Sequence, residues 1–92
     1  MKIKVGGIFY KVIYKRNLKD DSTDVWGYVD YAQTKIYIEK KLSKQKQNQT
    51  LTHEVLHAIF HEAGLDNIAN DEKIILPLGY VLYQFEKENK IK

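Results

Sequence analysis

The stretch Leu51-Thr52-His53-Glu54-Val55-Leu56-His57-Ala58-Ile59-Phe60-His61-Glu62 holds all three histidines of the chain and reads as one helix. Within it lies the pattern His-Glu-x-x-His. A four-residue step on an α-helix is about 6 Å of rise and about 40° of rotation, so His53 and His57 project from neighbouring turns along nearly one line. Two imidazoles so placed can share one cation. Glu54 sits beside them, where a carboxylate can take a proton from metal-bound water without itself being a ligand. This is the chemistry of a zinc hydrolase. Leu51, Val55, Leu56, Ile59, Phe60 and Ala63 fill one half of the helix and are expected to face the core, with the histidines along the border of that arc.

His61 stands about 12 Å of rise and about 80° around from His53, too far along an unbroken helix to close the same tetrahedron. It reads as a surface residue or one that supports the ligands from behind. The metzincin arrangement needs a glycine and a further histidine at fixed later positions; Phe60 and Ala63 stand there instead.

Upstream of the helix the pattern changes to a period of two. Met1 to Val5 and Ile8 to Lys15 alternate apolar and polar residues around Gly6-Gly7, which predicts a β-hairpin whose Ile8, Tyr10, Val12 and Tyr14 meet the helices. Arg16 to Asp24 is polar and reads as a surface loop with little to bury. Its Asp20, Asp21 and Asp24 lack the spacing and glycine of a calcium-binding loop and read as solvated. Val25 to Tyr31 and Lys35 to Glu39, joined by Ala32-Gln33-Thr34, form a second expected hairpin. From Lys40 to Thr50 the chain is lysine- and glutamine-rich, the exposed start of the motif helix, with Ser43 as its N-cap.

Downstream, Gly64 suits the left-handed position that ends a helix, and Leu65 to Asn70 reads as a short connection. A second helix is expected from Asp71 to about Asn89, capped by Asn70 or Asp71 and kinked at Pro77. It carries Ile74, Leu78, Val81 and Phe85 on one side. Glu72 shares the other stripe with Leu76, Gly79 and Tyr83, so its carboxylate faces inward, towards the histidine helix.

Ninety-two residues make one domain, 1–92, with room for a modest core. Cysteine is absent, so any metal uses nitrogen and oxygen ligands and no disulfide framework forms. No apolar run reaches the length of a spanning helix and the first residues lack a secretory signal, so no membrane association and a cytoplasmic location are expected. Fifteen basic against twelve acidic residues is too mild a balance to argue for nucleic acid, and the lysines from Lys40 to Lys46 read as a solvated face. Trp26, Tyr28, Tyr31 and Tyr37 lack the pattern of a base-stacking sheet and read as packing residues.

A sheet, then His-Glu-x-x-His, then a second helix with an inward glutamate resembles the layout of gluzincin metallopeptidases, in particular the minigluzincins and the small phage-borne ImmA/IrrE-type proteins. The resemblance runs from Gly27 through Asn89. It rests on Trp26-Gly27-Tyr28-Val29, Ile36-Tyr37-Ile38, Thr50-Leu51-Thr52-His53-Glu54-Val55-Leu56-His57-Ala58, Asp71-Glu72-Lys73 and Leu78-Gly79-Tyr80-Val81-Leu82-Tyr83-Gln84-Phe85. The resemblance implies a zincin-like α+β fold, a small mostly antiparallel sheet packed on the histidine helix and a second C-terminal helix. It implies zinc held by His53, His57 and Glu72, with water in the fourth position and Glu54 as general base and acid. Asp71 and His61 are the rivals of Glu72 as third ligand. The implied substrate is a peptide or protein, held extended at a sheet edge, and Tyr80 and Tyr83 read as packing residues before oxyanion donors. The alternative is a catalytically silent protein-binding module that keeps the fold.

Overall fold

The computed structural model describes residues 1–89; the last three residues of the expected domain, 90–92, lie outside the described residues. The alternating N-terminal residues form β1 (Lys2–Val5) and β2 (Ile8–Lys15), paired antiparallel with Val5 opposite Ile8. Gly6 and Gly7 turn the chain at φ of +57° and +84°, a hairpin geometry that residues with a Cβ resist. Gly6 is also pressed against the motif helix, where an added Cβ would lie 2.9 Å from the Glu62 Cβ.

The polar stretch after β2 is more ordered than a loop. Lys19–Asp20 (β3) and Thr23–Asp24 (β4) pair as a small ribbon around Asp21 and Ser22, both at positive φ, and Lys19 bridges Asp24 at 2.6 Å. Leu18 anchors it in the core. Its amide donates to Glu39 Oε1 at 2.8 Å, and Lys41 N–H donates to Glu39 Oε2 at 3.0 Å. One apolar residue among polar ones carries no periodic signal, so the burial of Leu18 is not legible in the sequence.

β5 (Gly27–Asp30) and β6 (Lys35–Glu39) form the second hairpin, antiparallel as expected. The four strands make one sheet in the order β1-β2-β6-β5, with β2 and β6 parallel. The sheet is therefore mixed. Both hairpins are antiparallel, but the crossing between them carries the chain back to the same end of the sheet and leaves β5 as an edge.

Ser43 Oγ accepts from the Lys46 amide at 3.2 Å and starts α1 (Lys44–Glu62), which ends at Gly64 in the left-handed region. The connection after it contains one further helical turn, α2 (Asp66–Ala69), where the sequence reading has only a link. Asp71 caps α3 (Glu72–Glu88) by accepting from Lys73 N–H, and the helix continues through Pro77. The whole is an α+β domain of a four-stranded mixed sheet and three helices. No described helix is long and apolar enough to cross a membrane.

The core gathers Val5, Tyr10, Val12, Ile36, Ile38 and Ala58, with Leu51 and Val55 of α1 packed against it. Ile8, expected inside, lies exposed at the hairpin tip. α1 is covered on two sides, by the sheet and by α3, so Thr50, Thr52, Glu54 and Leu56 are buried while Ile59 and Ala63 are exposed. Leu51, Val55 and Leu56 face inward as expected, but burial on α1 is not confined to that apolar half. On α3 the inward residues are Ile75 and Gly79; Ile74, Leu78, Val81 and Phe85 are exposed.

Candidate metal centre

His53 and His57 leave α1 on the side that faces the start of α3, and Glu72, the first residue of that helix, reaches back to both. His53 Nε2 lies 3.2 Å from Glu72 Oε1, and His57 Nε2 lies 2.8 Å from Glu72 Oε2. The two Nε2 atoms are 3.2 Å apart. Ligand atoms at corners of a tetrahedron with bonds of about 2.0–2.1 Å are about 3.4 Å from one another, so these spacings suit one small cation. His53, His57 and Glu72 are close enough to bind a metal ion.

Hydrogen-bond roles sharpen that geometry. His57 Nδ1 is 2.6 Å from the Ala69 carbonyl oxygen, which only accepts, so Nδ1 carries the proton. Nε2 is then the nitrogen left to face the Glu72 carboxylate, and an Nε2 without a proton needs a cation between it and that carboxylate, because two acceptors facing each other repel. Burial holds His53 below the usual histidine range, against the opposing pull of the Glu72 carboxylate, which also favours a lone pair at the cluster. Fixing the far nitrogen of a ligating imidazole on a carbonyl is a common support of metal sites. No sequence signal points to Ala69, because the group that acts is backbone and the α2 turn brings it there.

Glu54 lies one residue from His53 but faces the sheet, 7 % exposed. Desolvation pushes its carboxyl up to about 8, with smaller contributions from the charges of Glu72 and Asp20. It reaches a cavity of about 600 Å³ that also takes in His53, His57 and Glu72. Gly27 of β5 makes this approach possible: a Cβ there would be 2.9 Å from Thr50 Cγ2, 2.9 Å from the Tyr37 carbonyl oxygen and 3.2 Å from Glu54 Cγ. A glycine inside a strand pattern is a signal for such close packing, and Gly27 is legible on that basis. Gly79 of α3 faces His53, where an added Cβ would make ordinary contacts of 3.6–3.9 Å, so this helix meets α1 without the tight fit seen at Gly27.

The rivals for the third position are engaged elsewhere. Asp71 caps α3. His61 Nδ1 meets Asp66 Oδ1 at 2.7 Å, and its ring stacks on Tyr31 with centroids 4.0 Å apart. Tyr31 and Tyr80 line the cavity, whereas the Tyr83 hydroxyl donates to the Gln45 carbonyl, in a separate hollow between α1 and α3. Asp20, read as solvated, also lines the cavity. Tyr31 escapes the sequence reading because nothing local ties a residue at a strand end to His61, thirty positions on.

Compared with known protein families, characterised proteins and solved structures, the chain matches none.

Proposed function

We propose that this chain is a zinc-dependent metallopeptidase of zincin-like, gluzincin type, with His53, His57 and Glu72 as the protein ligands and Glu54 as general base and acid. The observation that supports it best is the convergence of two imidazole Nε2 atoms and a carboxylate on one point, in a cavity that also holds Glu54. Two nitrogens and an oxygen with no thiolate match the donor set of catalytic zinc sites, which keep a position open for water. Zinc bound there acts as a Lewis acid, lowering the pKa of a bound water and polarising a carbonyl oxygen. Glu54 accepts a proton from the attacking water and delivers it to the leaving amine as the C–N bond breaks.

The edge strand gives a peptide a place to lie. Among the described residues only one side of β5 is paired, so backbone N–H and C=O groups on its other side can add an extended chain. β5 runs alongside α1 in the same direction: Gly27 lies at Thr50 and Glu54, and Tyr31 lies at His61. A peptide on that edge passes the cluster.

The test combines metal content with cleavage. After dialysis, wild type and Glu54→Gln are expected to hold about one zinc per chain and His53→Ala and Glu72→Ala to hold none, by elemental analysis. A peptide library incubated with the zinc-loaded chain is expected to yield new termini by mass spectrometry, and none with Glu54→Gln. A chain that neither retains zinc nor takes it up on titration refutes the metal site. One that binds zinc and cleaves nothing refutes the peptidase.

A further inference from the structure

At the end of the cavity remote from α2, the ammonium of Lys46 stands over the indole of Trp26, 4.9 Å from the ring centroid. Trp26 is 56 % exposed, a large apolar surface left open beneath a cation. Lys46 Nζ donates to Gln49 Oε1 at 2.8 Å, which fixes one of its three hydrogens. Among the described residues it has no carboxylate at ion-pair distance. Lys46, Trp26 and Gln49 all line the cavity that holds the histidines, and Asp24, the acid nearest by sequence to Trp26, is already bound to Lys19. A positioned, half-buried ammonium without a counter-ion, at the end of a cavity, is a place for an anion.

Its separation from the cluster sets a length. Lys46 precedes His53 by seven residues on α1, which is nearly two full turns and about 10 Å of rise on the same helix face. An extended peptide advances about 3.3 Å per residue, so three residues cover that span. The chain enters β5 from the Lys46 end: Trp26 lies beneath the Lys46 ammonium and Gly27, the first residue of β5, lies beside Thr50 and Glu54, so a peptide on that edge leads past the strand's start towards Lys46.

We infer that Lys46, held over Trp26, is a carboxylate-binding subsite that selects peptides carrying a carboxylate about three residues from the bond at the metal cluster. The carboxylate belongs to the peptide's own C-terminus or to an aspartate or glutamate side chain. This inference rests on the metallopeptidase reading above, and the experiment separates the two.

The probes are non-cleavable peptidyl hydroxamates, whose head group grips zinc and whose other end lies three residues away. One ends in a free carboxylate and one in a carboxamide. A third has an amidated end and a glutamate at that position. Binding to the zinc-loaded full chain is followed by the fluorescence of Trp26, the single tryptophan. The free acid or the glutamate compound is expected to bind about tenfold tighter than the carboxamide, and whichever gains more identifies the source of the carboxylate. In Lys46→Gln that advantage is lost while the carboxamide binds as before, which shows the site intact. Equal binding of acids and carboxamide by wild type, or an advantage that survives Lys46→Gln, overturns the subsite and leaves the metal reading standing. If no hydroxamate binds the zinc-loaded chain, both fall.

Discussion

Gly27→Ala tests the joint between the edge strand and the motif helix, on which the candidate centre depends. The added methyl would sit 2.9 Å from Thr50 Cγ2 and 2.9 Å from the Tyr37 carbonyl oxygen, closer than carbon atoms approach in folded proteins, with Glu54 Cγ at 3.2 Å. Overpacking of this kind costs about 1–3 kcal/mol. Against it stands a gain of about 0.4–1 kcal/mol, because alanine leaves the unfolded chain less free than glycine. The net loss is about 1–2 kcal/mol, a fall in Tm of roughly 5–15 °C for a chain of this size. Thermal unfolding followed by circular dichroism, with a chelator present so that metal binding does not contribute, measures it. Thr50→Ser removes the Cγ2 and leaves the backbone contact with Tyr37, so in the alanine background it should recover roughly half of the loss. In the wild-type background the same change leaves a small void and costs about 0.5–1.5 kcal/mol. A Gly27→Ala chain that melts at or above wild type, or a Thr50→Ser effect of the same size in both backgrounds, refutes the placement of β5 against Thr50 and Glu54.

Zinc at a hundredfold excess over its Kd should raise stability by about 2.7 kcal/mol, read as a Tm shift that a chelator reverses and Glu72→Ala abolishes. The amides of Lys41 and Leu18 hold Glu39 below the usual carboxylate range, so its contribution is present above the unfolded value of 4.5 and is lost as pH falls through the folded one. Glu39→Gln should therefore be less stable than wild type near neutrality, with the gap closing in acid, by urea unfolding across that range. Tyr10 is buried and its hydroxyl donates to Glu62 Oε2 at 2.6 Å; burial, then the Glu62 carboxylate, pushes its pKa up. A raised folded pKa means stability that is complete below the ordinary value of 10.0 and drains away as pH rises above it. Tyr10→Phe should cost about 1 kcal/mol near neutrality and flatten the alkaline decline, measured by melting at neutral and strongly alkaline pH.

Much of the fold was legible because its signals are local. The Gly6-Gly7 turn, the two hairpins, Ser43 as a cap, Gly64 as a stop and the start of α3 at Asp71 each follow from a few adjacent residues whose backbone preferences agree. The parallel pairing of β2 with β6 was not legible. Strand order depends on how whole hairpins dock, and alternation reads the same for either partner direction. Burial on α1 and α3 was misjudged for a related reason. Periodicity shows that a helix has an apolar face, but Ile74, Leu78, Val81 and Phe85 lie outside while Thr50, Thr52 and Glu54 lie inside, because burial is set by where neighbours dock: α1 lies between the sheet and α3, and the buried residues of α3 are Ile75 and Gly79.

Helical geometry places residues four apart on neighbouring turns whatever surrounds them, so the pair His53 and His57 and the adjacent Glu54 follow from the order of residues alone. It also marked Glu72 as inward-facing, from its stripe on the second helix. That this carboxylate meets both imidazoles, that the Ala69 carbonyl orients His57 and that Trp26 lies beneath Lys46 depend on the packing of distant segments. Those contacts join segments 12 to 20 residues apart. Their geometry is set by how closely α3 and the edge strand approach α1, and on the strand side that approach is allowed by a missing side chain, at Gly27.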